Sequence, residues 1–189
     1  MVALLLQLSL AFPPDAGLSA LTRTAAVDEA ARLWSPYGIA ITACADERRG
    51  RAGVITVAIV ETPRVPASAV SRPLGAIVFD EGEPAPVIAV YLAEILRLVS
   101  DVRVLGAAES QWPPLMRERI VGRVIGRVLA HEVGHYALRT TGHTRDGLMR
   151  PTHVPMALVA PESRPFVLSK AEAARLALTC GSRRIGCVY

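Results

Sequence analysis

The segment His131-Glu132-Val133-Gly134-His135 places two imidazoles four residues apart with a carboxylate beside the first. On an α-helix, successive side chains rotate by about 100°, so residues i and i+4 stand one above the other and can close on a single metal ion. Glu132 lies next to this pair, where it need not ligate. A carboxylate so placed can take a proton from a metal-activated water, the arrangement that metal-dependent peptide hydrolysis requires.

A third imidazole, His143, follows Gly142, a residue at which the helix can turn, and Met149 comes six residues later in Asp146-Gly147-Leu148-Met149-Arg150-Pro151. His131 to Pro151 resembles a metzincin, most closely the matrixin-like branch, whose pattern is His-Glu-x-x-His, a short turn, Gly-His and a methionine turn. Seven residues separate His135 from His143, where metzincins place five, and Leu138 occupies the position of the usual glycine. The resemblance implies Zn2+ held by His131, His135 and His143, Glu132 as general base, and Met149 beneath the metal without ligating it. It also implies a peptide or protein substrate paired with an edge strand near residues 75–79, and a pocket wall from residues 150–163. On the residues alone, Asp146 and His153 remain alternatives to His143 as third ligand.

These residues need a scaffold. Val2 to Phe12 is an apolar run without a preceding Lys or Arg and without a small-x-small cleavage site, which favours a first strand over a leader peptide. Val27, Ala30, Ala31 and Trp34 recur at helical spacing in a helix from about Ser19, and Ser35-Pro36-Tyr37-Gly38 ends it. Ile39–Cys44 and the β-branched run Val54–Val60 read as strands, with Asp46–Arg51 between them as a loop. Pro63, Pro66 and Pro73 mark residues 61–73 as a surface loop. Ala76–Phe79 and Val87–Tyr91 read as antiparallel neighbours joined by an acidic turn over residues 80–86, one of them at the sheet edge, and a helix follows over Leu92–Val99.

Pro113-Pro114 opens the long helix that carries the histidine pair, since the first turn tolerates a residue without an N–H. Gly122, Gly126, Ala130 and Gly134 form a ridge of small residues along it, so another backbone is expected to approach closely there. Arg119, Arg123 and Arg127 read as a solvated stripe. Residues 151–165 read as irregular, and Ser169-Lys170-Ala171-Glu172 as a capping box opening a last helix that Gly181 ends. The expected fold is α/β (α+β, zincin-like): a twisted mixed sheet with a backing helix, an active-site helix and a C-terminal helix, in a single domain over residues 1–189.

Composition narrows the function. A chain of 189 residues, 51% hydrophobic, can bury a core without disulfides or metal. Its formal charge of +4 comes from dispersed arginines, with 5% aromatic residues, which argues against nucleic-acid binding. No run approaches the roughly 20 apolar residues of a membrane span. Cys44, Cys180 and Cys187 lack metal or redox spacing; Cys180 and Cys187 could pair, and a buried thiol at Cys180 is the alternative. Two other function classes compete: a non-catalytic zinc-stabilised binding protein, and a zinc-dependent ribonuclease, whose helix does not typically carry glutamate after the first histidine as this one does.

Overall fold

Leu8 and Leu10 alternate with Gln7 and Ser9, and this period of two gives the first strand one buried and one polar face. The computed structural model describes residues 6–44, 52–61 and 72–181. Within them the strands are β1 (Leu6–Ala11), β2 (Ile39–Cys44), β3 (Val54–Val60), β4 (Gly75–Asp80) and β5 (Glu83–Tyr91). The helices are α1 (Ala20–Trp34), α2 (Leu92–Ser100), α3 (Pro114–Leu138), α4 (Pro155–Val159) and α5 (Lys170–Gly181). Residues 2–5 of the opening run, the 46–51 loop, most of the 61–73 loop, Cys187 and the side chain of Cys180 lie outside the described residues.

The sheet is mixed, in the order β2-β1-β3-β5-β4. β1 pairs in parallel with β2 and β3, β3 pairs in parallel with β5, and only β4 runs antiparallel, at the edge beside β5. Parallel β1 and β2 need a crossover, and α1 supplies it. Its start is set by Ser19, whose Oγ accepts the Thr22 N–H at 3.1 Å. Helix α1 packs against β2, α3 against β5 and β4, and the two helices against each other.

The small ridge of α3 explains how closely these helices approach. A Cβ on Gly122 would lie 2.6 Å from the Ala25 Cβ and 2.7 Å from the Thr22 carbonyl oxygen, and one on Gly126 would meet Ala26 and Glu29. Ala26, Ala30 and Trp34 fill the seam with no exposure, and the indole Nε1–H of Trp34 donates to the Ala130 carbonyl at 3.0 Å.

Three expectations about the connections need correction. The turn between β4 and β5 is only Glu81-Gly82, both at positive φ (48° and 84°), so β5 begins at Glu83 and contains Pro84 and Pro86. β3 pairs with β5 only from Val87 onward, which leaves the two prolines where β5 has a single neighbour. Residues 151–165 are not wholly irregular: Pro155 opens the short helix α4, its missing N–H harmless in a first turn. The arginine row is not a solvated stripe either. Arg119 is exposed, but Arg123 is half-buried and donates to the Val159 carbonyl at 2.7 Å, and Arg127 is 1% exposed.

Arg127 is neutralised by Glu29 of α1, with Nε donating to Oε1 at 2.7 Å. Its other nitrogens donate to the carbonyls of Ala157 and Glu162, and its guanidinium lies 4.4 Å from the Phe166 ring centroid. Burial pulls its pKa down, and Glu29 opposes that pull. Arg123 and Arg127 therefore clamp residues 157–162 against the helix that carries the histidine pair.

Candidate metal centre

His131 and His135 stand on one face of α3, as i and i+4 must, with ring centroids 4.8 Å apart. Each Nδ1 meets a backbone carbonyl: His131 at Leu148 (2.8 Å) and His135 at Thr140 (2.6 Å). A carbonyl can only accept, so both Nδ1 atoms carry hydrogen and both Nε2 atoms present lone pairs. The two Nε2 atoms lie 3.1 Å apart. Two lone pairs facing each other repel unless a cation sits between them, and a tetrahedral zinc holds its nitrogens about 3.3 Å apart.

His143 completes the cluster. Its ring centroid lies 5.3 Å from that of His131 and 4.9 Å from that of His135, and one ligand atom from each of the three residues falls within 4.8 Å of the others. Among the described residues no other His, Cys, Asp or Glu joins this group. Asp146 is exposed, and His153 packs against Phe166 with centroids 4.6 Å apart. His143 is exposed, while its neighbour is fixed: the Thr144 N–H donates to the Met149 carbonyl at 3.0 Å, and its Oγ1–H donates to the Asp146 carbonyl and lies 3.0 Å from Glu172 Oε1. Glu172 also closes the expected capping box of α5, accepting the Ser169 N–H at 2.7 Å while its own N–H donates to Ser169 Oγ at 3.2 Å.

The turn out of the helix is not made at Gly142. Arg139 ends α3 in the left-handed region, φ 49°, and Thr140 follows with the carbonyl that orients His135. The glycine of the metzincin pattern is thus replaced one position later by a residue that pairs with Glu83 at the start of β5.

Glu132 is 5% exposed and points to the sheet edge, where its Oε2 accepts the Ile77 N–H of β4 at 2.9 Å. Burial raises its pKa from 4.5 to about 7, with the Ile77 bond pulling the other way. Burial also lowers His131 from 6.5 to about 4 and pulls His135 down, which keeps both rings in the neutral form that ligates. Gly75 allows this contact: a Cβ there would overlap Val128 Cγ1 and lie 3.6 Å from Glu132 Oε1. Met149 is 1% exposed, and its Sδ packs against α3 in the space a Cβ on Gly134 would need.

The cluster opens into a cleft of about 900 Å3 between β4, α3 and residues 150–158, with Ile77, Pro151, His153 and Leu158 among its walls. Sequence reasoning missed the Ile77 N–H, Gly75 and the Arg127 clamp. The glycine carries the one signal that could have been followed, since it opens an edge strand where a side chain costs little unless something lies across it.

The fold is similar to that of archaemetzincin from Methanopyrus kandleri. That crystal structure matches with a TM-score of 0.51 and 16% identity, over 93% of this chain and 96% of the other. At that identity the likeness is one of fold. No protein-family model and no curated protein sequence matches the chain.

Proposed function

We propose that the chain is a zinc-dependent metallopeptidase of metzincin type, with His131, His135 and His143 holding Zn2+ and Glu132 as general base. The observation that carries this reading is the pair of Nε2 lone pairs 3.1 Å apart, each fixed by a carbonyl at the far side of its ring, with a third imidazole and a buried carboxylate alongside. The donor set suits zinc: three neutral imidazoles leave a fourth position for solvent or substrate, as catalytic zinc sites do. Bound zinc supplies Lewis acidity, lowering the pKa of a water from 15.7 to about 7 and polarising a carbonyl.

The remaining work falls to the chain's own residues. In the metal-free chain burial raises the pKa of Glu132 to about 7, which makes its carboxylate basic enough to accept a proton from the attacking water and return it to the leaving amine. The Ile77 N–H holds that carboxylate at the strand edge. Among the described residues β4 has no partner on its outer side, so an extended peptide could add there as a further strand and lie across the histidines. Residues 151–158, held by Arg123 and Arg127, would bound the pocket on the leaving-group side.

The test is Glu132→Gln on zinc-loaded protein, assayed against a mixed peptide library by mass spectrometry. Cleavage should fall by at least about 100-fold while zinc content is unchanged. Equal cleavage by the variant would refute the mechanism, and stoichiometric zinc with no cleavage by wild type would favour the non-catalytic binding protein.

A further inference from the structure

Away from the cleft, exposed apolar side chains gather at one place. Leu105 is 99% exposed, Leu115 65% and Met156 47%, and all three border a groove of about 630 Å3 whose floor includes Met116, Ile120 and Val159. Leu105 is the most telling of them. The Val104 N–H donates to the Ala107 carbonyl at 3.1 Å and the Ala107 N–H to the Val104 carbonyl at 3.0 Å, so Leu105 and Gly106 alone make the turn, at φ 53° and 82°. Such a turn is built with least strain from Asn, Asp or Gly. A leucine there is strained in its backbone and contributes nothing to the core, and that combination points to a contact outside the chain.

The charge around the groove specifies the contact. Arg103, Arg119 and Arg123 line it and no Asp or Glu does. Among the described residues no ion pair joins any of the three to a carboxylate; Arg103 donates to the Gly106 carbonyl and Arg123 to that of Val159. Two of the nearby acids are engaged elsewhere, Glu109 by Arg117 and Glu118 by Ser19. An apolar floor under uncompensated arginines is complementary to a segment carrying both apolar and acidic side chains. The surface is a groove rather than a convex tip, which suits an inserted helix or extended peptide better than a flat bilayer.

We propose that this groove docks an acidic amphipathic segment of a partner protein. The occupant would rest on α4, whose Met156 and Val159 face the groove while Leu158 lines the catalytic cleft, so docking would bear on the wall of that cleft. The inference does not depend on the metal.

The test is selection of a random displayed peptide library on the purified protein, followed by fluorescence anisotropy with the enriched peptides. A Leu105→Asn, Arg119→Glu double variant serves as control, since both side chains are exposed and asparagine suits the turn; its melting curve should match wild type. Enriched peptides should combine Leu, Ile or Phe with Asp or Glu, bind less tightly as salt rises, and lose at least about tenfold in affinity on the variant. Failure to enrich any peptide, enrichment of basic peptides, or equal binding to both proteins would overturn the proposal. So would sedimentation of wild type, but not of the variant, with phosphatidylserine vesicles in the absence of peptide binding, which would make the surface a lipid contact.

Discussion

In the metal-free protein, the buried Glu132 and the half-buried His131 are neighbours in the chain and have their pKa values shifted in opposite senses. Glu132 has its pKa raised from 4.5 to about 7, so the folded state holds a proton that the unfolded chain releases. Its contribution to stability is fully present below pH 4.5 and is lost as pH rises through about 7. At 1.36 kcal/mol per pH unit, that interval is worth roughly 3 kcal/mol. His131 falls from 6.5 to about 4, so its contribution is present above pH 6.5 and is lost as pH falls through about 4, by a similar amount. Between about pH 4.5 and 6.5 the two nearly offset each other. Glu132→Gln removes the first and keeps an acceptor for the Ile77 N–H. With chelator present, the stability of the variant should therefore climb with pH more steeply than that of wild type, by roughly 3 kcal/mol between pH 4.5 and 7. His135 and His153, also lowered by burial, add the same rise to both proteins, so the difference in slopes is the quantity to measure. Urea unfolding at a series of pH values supplies it. Parallel slopes would show that the fold does not hold this carboxyl neutral, and the argument for its poise would fail.

Gly75→Ala should drive β4 away from α3, because its Cβ would overlap Val128 Cγ1 and lie 3.0 Å from the Ala89 carbonyl oxygen. A loss of about 1–3 kcal/mol in urea and faster hydrogen exchange at the Ile77 amide are expected. Arg127→Met should cost about 3 kcal/mol, since Glu29 keeps only Arg32 and the carbonyls of Ala157 and Glu162 lose their donor. Exchange should quicken over residues 155–163 while zinc affinity is retained.

What the sequence revealed of the site follows from where the information lies. The pairing of His131 with His135 is a matter of helical period, and the Ser169–Glu172 box is local chemistry, so both could be read directly. The small ridge of α3 correctly announced a close neighbour, which proved to be α1. Arg127 was misread because its partner Glu29 lies 98 residues away, and spacing along one helix cannot reveal a charge on another. The same holds for α4, a five-residue helix tied down by Arg123 and Arg127 and too short to show a period of its own. The helix stop at Arg139 escaped notice because its left-handed backbone is occupied by a residue that rarely adopts it. The strand character of Leu6–Ala11 was legible from an apolar run that lacks the flanks of a leader peptide, whereas the residues showed only that one of β4 and β5 lies at the sheet edge, and the resemblance pointed to β4.

The central claim is that three imidazoles of this chain hold one zinc ion and leave a position for solvent. Zinc K-edge X-ray absorption on protein loaded with one equivalent of zinc measures this directly. Three imidazole nitrogens at about 2.0–2.1 Å and one further light atom are expected, with one imidazole lost in His143→Ala. A wild-type spectrum with two imidazoles or fewer, or one that His143→Ala leaves unchanged, would contradict the account.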